Sequence, residues 1–479
     1  MKKNSIKKNY IYNLFYQLLT ILLPLLTTPY LSKVLGANGI GIYSYTLSIT
    51  TYFILIGAFG TALYGQREIA YVQDDIQKKT QIFFEIVIIK IITMSLISVV
   101  YGLVFCFFSQ YYIYYRVFLL EKLANVIDIS WFYQGIEDFK KIVVKNTVVK
   151  LISIISIFVF VKSTNDTWKY ILIYCLSNLL GNLSMWLNMK KNINISLLKG
   201  IKLKKHLKPM LLLFIPQLAI SVYTVLDKSM IGTITSNMSE VGFYEQSQKI
   251  VKLSLTLLTS LGTVMLPKIA SINSKNDMEK IKKYIYGSFR FSWLLASPIC
   301  FGLIGISSNI VPWFYGQGFE KVSLLICVFC PMTIFISLAN VIGNQYLIPM
   351  KKQNKYTVAV IISAIVNIIG NLFLIPKFLS VGAAISSAFS ELVGLFIELF
   401  MIRKEFEIKK ILKMGLKYVM CSIIMVIIVK WLSLYLKPMF LNTMILTVIG
   451  LVIYMIMLTI LKDDYILYAF NKIRRKGER

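Results

Sequence analysis

Long uninterrupted apolar stretches alternate along this chain with short polar breaks, and the length of the stretches sets the first expectation. About 20 apolar residues in a helix cross the hydrocarbon layer of a bilayer. Reading the breaks against the charged residues predicts spanning helices at 10–32, 40–64, 82–108, 112–135, 142–162, 168–190, 207–232, 241–268, 285–308, 323–350, 355–376, 380–402, 412–433 and 440–461. The runs are continuous rather than alternating every second residue, which excludes a membrane β-barrel. The expected fold class is an all-α membrane protein of about fourteen helices.

Composition agrees: 57% of the 479 residues are hydrophobic and 15% charged, with a mean hydropathy of +0.69, beyond what soluble globular chains carry. A formal charge of +30 would suggest nucleic acid in a soluble protein, but here the lysines and arginines sit mostly in the connections. No nucleic-acid partner is expected; the charge reads as topology. The connection between the sixth and seventh runs holds Lys190, Lys191, Lys199, Lys202, Lys204, Lys205 and Lys208, whereas the next one, "TITSNMSE", holds no Lys or Arg. The alternation continues through Lys268, Lys275, Lys280, Lys282 and Lys283, the single Lys321, then Lys351, Lys352 and Lys355, and the single Lys377. Both termini are therefore expected on the cytoplasmic side, the second ending "NKIRRKGER". The first run follows Lys2, Lys3, Lys7 and Lys8 but continues past Pro24 with no small-residue cleavage site, so a retained span is expected rather than a signal peptide. Usage rich in Lys, Ile and Asn suggests an AT-rich bacterial genome, and the expected location is the bacterial cytoplasmic membrane. Trp131, Phe132 and Tyr133 are expected at headgroup level, with Lys140 and Lys141 facing anionic lipid.

The two halves repeat with an offset of about 200 residues. "GIYSYTLSI" at 41–49 aligns with "GFYEQSQKI" at 242–250, "GTALYG" at 60–65 with "GTVMLP" at 262–267, and Pro24 with Pro216. The predicted organisation is a six-helix lobe at 1–190, a basic linker at 191–206, a second six-helix lobe at 207–402, and two further helices with a basic tail at 403–479. Six spans per repeat place both lobes in one orientation around a central cavity. Prolines 24, 29, 216, 298 and 331 lie within or near spans, where they bend helices for gating or simply for packing.

An ionised side chain in mid-membrane costs about 2.5–3.5 kcal/mol, so polar residues recurring on one helical face should meet a partner or a water-filled cavity. Such faces carry Asn13, Gln17, Thr20 and Thr27; Glu121, Asn125 and Asp128; Gln217, Ser221, Thr224 and Lys228 beside Asp227; Glu245, Lys249, Lys252 and Thr256; and Ser387, Glu391 and Glu398. Hydrogen bonding between helices is the competing reading for the uncharged types. Cations suit a phosphate-bearing headgroup, which makes Lys228, Lys249, Lys252, Arg116, Arg290 and Arg67 candidate ligands. Arg67 and Arg290 read equally well as snorkelling side chains. Buried carboxylates suit H⁺ or Na⁺ coupling, which makes Asp128, Asp227, Glu121 and Glu391 candidates.

The six cysteines are scattered, and "CVFC" at 327–330 has no second pair or nearby histidine, so no metal site is expected. His206 is the only histidine and lies in a lysine-rich connection, which speaks against histidine catalysis. Without a GxxxxGK[ST] loop, no nucleotide cofactor is expected, and an ion gradient or the membrane potential would supply the drive.

Several strings together resemble the polysaccharide-specific transporters, the O-antigen and capsule flippases of the multidrug/oligosaccharidyl-lipid/polysaccharide exporter superfamily. They are "YLSKVLGANGIGIYSY" (30–45), "FGTALYGQREIA" (59–70), "WFYQGIEDFKK" (131–141), "DKSMIG" (227–232), "VGFYEQSQKI" (241–250) and "NQYLIPMKKQNKY" (344–356). The resemblance implies a two-lobed fold like that of the multidrug and toxic compound extruders. It implies a non-enzymatic flippase moving undecaprenyl-diphosphate-linked oligosaccharide from the cytoplasmic to the outer leaflet, alongside polymerase and chain-length partners. Gln17 and Gln217 would then meet sugar, and Arg67, Glu68, Glu137, Asp227 and Lys249 are the matching charged positions. Trp131, Gln134 and Glu137 are either a cytoplasmic gate or a helix end in an aromatic belt. A cation-coupled drug exporter and a peptidoglycan-precursor (lipid II) flippase remain alternatives, and a non-transporting scaffold is disfavoured by the repeated charges on buried faces.

Overall fold

The structure, a computed structural model, describes residues 6–467 apart from 188, 190, 191, 199, 274 and 276. Side chains are described outside 6–24, 139–146, 215–224, 257, 260, 261, 263, 264 and 267. The elements, in chain order, are α1 (Ile6–Ala58), α2 (Thr61–Tyr71), α3 (Ile76–Tyr101) with a π-turn at Gly102–Cys106, α4 (Tyr112–Val117), α5 (Leu119–Val126), α6 (Ser130–Gly135), α7 (Phe139–Phe160), α8 (Thr167–Trp186) and α9 (Lys204–Thr235). There follow α10 (Met238–Asn273), α11 (Met278–Tyr315), α12 (Glu320–Phe329), α13 (Pro331–Ile342) with a π-turn at Gly343–Leu347, α14 (Gln353–Phe378), α15 (Ser380–Ile402), α16 (Ile408–Ser433) and α17 (Phe440–Ile460).

Each predicted run falls on a helix or on a broken series of helices. The first two runs are joined in α1, which bends at Gly36 (φ 67, ψ 179), a backbone state that glycine adopts without a Cβ penalty. The fourth run is broken into α4, α5 and α6, because the Asp128 Oδ1 accepts the Ser130 N–H at 2.8 Å and ends the ladder there. The tenth breaks at Pro331, which has no N–H to donate. Among the described residues, eight helical runs are long and apolar enough to cross a membrane. Leu96, Leu103, Phe373, Phe396 and Ile427 all point outward, as lipid-facing side chains do. The chain is a multi-pass, all-helical membrane protein.

Packing divides it into two compact units, Met1–Gly242 and Phe243–Arg479. The division falls at the start of α10 rather than at the basic connection, because α9 packs along α1 and α2. Tyr45 and Thr233 hydroxyls meet at 3.1 Å and those of Tyr52 and Ser229 at 3.0 Å along that contact. In the second unit α14 and α15 close on small residues: a Cβ at Gly370 would lie 2.4 Å from Ser386 Oγ, and one at Gly394 2.4 Å from Ser363 Oγ.

The internal repeat has physical counterparts. A Cβ at Gly41 would lie 1.6 Å from the Met238 carbonyl oxygen, and one at Gly242 would lie 2.0 Å from that of Ala37. The aligned glycines thus make the same backbone contact in reciprocal sense. The matching breaks at the ends of the fourth and tenth runs also share one turn. Glu137 (φ 58) and Lys351 (φ 59) are left-handed, and the next amides, of Asp138 and Lys352, reach back five residues to Tyr133 O (2.9 Å) and Leu347 O (2.8 Å). This is a Schellman cap built without glycine.

Candidate transport site

In the first unit α5 carries Glu121 and Lys122 in succession, and the two side chains meet different surroundings. Glu121 is buried against α8, where Asn178 Nδ2 donates to both carboxylate oxygens, at 3.0 and 2.9 Å. Asn182 and Trp186, further along α8, donate to the carbonyls of Ala124 (2.8 Å) and Ile127 (2.7 Å), capping the break between α5 and α6. At that break the Asp128 carbonyl accepts from the buried Lys90 ammonium at 3.0 Å. Lys122, which the polar stripes did not flag, is 2% exposed.

Trp131, Phe132 and Tyr133, expected at headgroup level, do not face outward there: all three are buried in the core of the first unit. Phe83 stacks on Trp131 at 5.7 Å between ring centroids, and Gly65 closes on the indole so tightly that a Cβ would lie 2.4 Å from it. The Tyr133 hydroxyl donates to Met185 O at 2.7 Å. The absence of a flanking helix in one-dimensional hydropathy hid this, since α2, α3 and α6 bury those rings only by converging. Gln134 is half-buried and Glu137 exposed at the turn. Arg67 pairs with its neighbour Glu68 at 2.8 Å and lies 5.3 Å from the Tyr64 ring centroid.

A buried carboxylate with four donors in this unit was not predicted. Glu85 on α3 is fully buried and accepts from His206 Nε2 (2.7 Å), Lys205 Nζ (2.7 Å), Gln81 Nε2 (2.7 Å) and the Lys202 amide (2.8 Å). His206 Nδ1 lies 2.7 Å from the Tyr64 hydroxyl, so a neutral ring protonated on Nε2 satisfies both neighbours. The basic connection is thereby anchored to α2 and α3. Only the lone histidine could have signalled this, and its partners at 64 and 85 share no spacing with it.

On α9 Asp227 is buried and Lys228 half-buried. In the second unit Lys249 is half-buried and Lys252 exposed on α10, while on α15 Glu391 is half-buried and Glu398 is buried with an Oε2 that has no hydrogen-bond partner among the described residues. A polar seam runs beside them: Tyr244 OH meets Ser387 Oγ at 3.2 Å, which accepts from Asn367 Nδ2 at 3.3 Å. Two predicted cations have structural partners. Arg116 donates to Cys106 O at 3.1 Å and lies 4.8 Å from the Tyr112 ring centroid. Arg290 donates to Asp463 (3.0 Å), Asp464 (2.8 Å) and Tyr418 OH (3.0 Å). Burial pushes the Asp463 carboxyl up, but Lys417, Arg290 and Tyr418 outweigh it and hold it at about 2. Gln17 and Gln217 lie outside the described side chains.

The sequence over residues 6–273 matches a family described as polysaccharide biosynthesis protein. A putative O-antigen transporter of Escherichia coli (strain K12) is 26% identical over 374 residues, which are 75% of this chain and 87% of that one. A probable low-salt glycan biosynthesis flippase of Haloferax volcanii is 26% identical over 123 residues, 26% of each chain. The solved lipid II flippase MurJ, in its inward closed conformation, superposes with a TM-score of 0.72 at 20% identity, covering 96% of this chain and 99% of that one. An inward-facing multidrug resistance transporter of the MATE family gives 0.68 at 13% identity, covering 82% and 95%. At such identities the two structures show the fold alone.

Proposed function

The chain belongs to the polysaccharide biosynthesis protein family, and from that footing we propose that it is a flippase for undecaprenyl-diphosphate-linked oligosaccharide repeat units. It moves them from the cytoplasmic to the outer leaflet of the bacterial plasma membrane, both of its termini being cytoplasmic. The product feeds assembly of a capsule, an exopolysaccharide or an O-antigen-type polymer, with polymerase and chain-length components as partners. The observation that carries this reading is the match to an O-antigen transporter over 75% of the chain. Buried amides, hydroxyls and charges in otherwise apolar helices support it, since a sugar diphosphate needs such groups along its path.

In this reading the fourteen predicted spans form two six-helix lobes plus two helices, and the protein performs no covalent chemistry. Lys228, Lys249, Lys252 and Arg67 hold the diphosphate, and Gln17 and Gln217 meet sugar. Arg116 and Arg290 would first have to give up a carbonyl and two carboxylates. Asp128, Asp227, Glu121 and Glu391 are the carboxylates through which H⁺ or Na⁺ could couple, and Trp131, Gln134 and Glu137 mark the cytoplasmic gate.

The fold likeness to a lipid II flippase favours a peptidoglycan precursor as the second reading. The test separates them. In a strain lacking the protein, lipid-linked oligosaccharides are quantified in membrane vesicles of defined orientation, an impermeant label reporting the leaflet. Cytoplasmic-face accumulation of a repeat unit, reversed by restoring the gene, is expected. Accumulation of peptidoglycan precursor instead selects the second reading, and normal sidedness with altered drug tolerance selects a drug exporter.

A further inference from the structure

Three lysines are buried among the described residues of the first unit; Lys79 Nζ donates to Gln73 O at 3.0 Å, and the other two are treated differently. Lys90 Nζ keeps an acceptor, the Asp128 carbonyl at 3.0 Å. Lys122 Nζ has no hydrogen-bond or ion-pair partner among the described residues, although it is wholly shielded. It sits 3.0 Å from the centroid of the Tyr101 ring and 5.1 Å from that of Phe53. The groups facing it are few. Thr50 from α1 bonds the Tyr101 hydroxyl at 2.9 Å, that hydroxyl lies 3.2 Å from Tyr115 O, and neither hydroxyl oxygen is within hydrogen-bond reach of Lys122 Nζ. Cys106 from the π-turn is a buried thiol beside it, and Cys175 from α8 lies in the same buried cluster as Tyr101. The nearest charges are committed elsewhere: Glu121 accepts from Asn178, and Arg116 points to the Cys106 carbonyl.

A buried ammonium stripped of acceptors is held by ring faces alone, and that attraction falls short of the hydration it has lost. A lysine, unlike an arginine, can resolve the conflict by releasing its proton. Protonation then requires a rearrangement that brings water or an anion to Nζ, and the helix break between α4 and α5, at Val117–Leu119, is the place where the chain can yield. We propose that Lys122 in its aromatic box is a proton-binding site, neutral in this conformation and protonated in another. It thereby names the coupling ion of the transport cycle as H⁺. The coupling half of this inference rests on the flippase reading; the proton site does not.

The experiment has two arms. Purified full-length protein in weakly buffered detergent receives an acid pulse from pH 8.5 to pH 6, with an indicator dye counting the protons bound. The wild type is expected to take up one proton more than Lys122→Met, with Lys122→Gln as the second variant should the first not be monodisperse. Equal uptake means that Lys122 keeps one charge state throughout and overturns the proposal, whatever the substrate. In oriented vesicles a pH gradient should speed wild-type translocation of the lipid-linked oligosaccharide at least tenfold, and both Lys122→Met and Lys122→Arg should lose that acceleration. Retained acceleration in both variants overturns the coupling. One extra proton in a wild type that moves no lipid-linked oligosaccharide leaves the site standing and removes the flippase reading.

Discussion

Glu85 in the first unit and Asp463 in the second are both fully buried carboxylates that tie a connecting segment to the helices of their own unit. Glu85 is held by an imidazole, an amide side chain, a backbone N–H and one lysine. Asp463 is held by an arginine, a tyrosine hydroxyl and a lysine. The first knot is built from four donors of different kinds, one of which, Gln81 Nε2, also donates to Gly200 O at 3.0 Å, and is specific in geometry. The second is dominated by charge, and Arg290 keeps Asp464 in reserve. Equal burial therefore does not mean equal vulnerability.

Glu85→Ala should cause the largest loss. Lys205 is half-exposed and can turn to water and Gln81 keeps the Gly200 carbonyl, but His206 and the Lys202 amide are left without their acceptor. At about 1–3 kcal/mol for each of these two unsatisfied groups, a total of about 2–6 kcal/mol is expected, read as a lower thermal midpoint in detergent. A Glu85→Ala midpoint no lower than that of Asp463→Ala would erase the contrast.

The second knot should show itself in pH. A carboxyl held at about 2 rather than 3.8 adds stability that is complete above its unfolded value and is lost as pH falls through the folded one. The thermal midpoint of the wild type should thus drop between pH 3.8 and about 2, whereas Asp463→Asn begins lower and changes less over that window. Parallel curves for the two proteins would show that Lys417 and Arg290 do not depress this carboxyl.

Arg67→Gln should have the smallest effect on stability. Its pair with Glu68 is 41% exposed on the arginine side, and such pairs contribute about 0–1 kcal/mol. An unchanged midpoint with reduced translocation would assign Arg67 to the substrate path, and a drop comparable to that of Asp463→Ala would make it structural.

The helical runs were legible in the sequence because hydropathy and connection charge report the same bilayer. The buried offices of Trp131 to Tyr133 were not, since aromatic residues at a helix end look alike whether lipid or α3 covers them. Charged positions on apolar stripes pointed to Glu121 and Asp227, both buried. They also pointed to Arg116 and Arg290, whose partners at Cys106 and Asp463 lie on other segments and have no periodic relation to them. Glu85, His206 and Lys122 went unflagged for the converse reason: each is defined by neighbours that only packing assembles.

The reciprocal contact of Gly41 and Gly242 leaves no side chain between two helix starts, backbone bearing directly on backbone. Side chains are the springs of a protein interface, and here there are none. A shift at one helix start is passed to the other without backlash, as between meshed gear teeth, and each tooth is cut from the same motif.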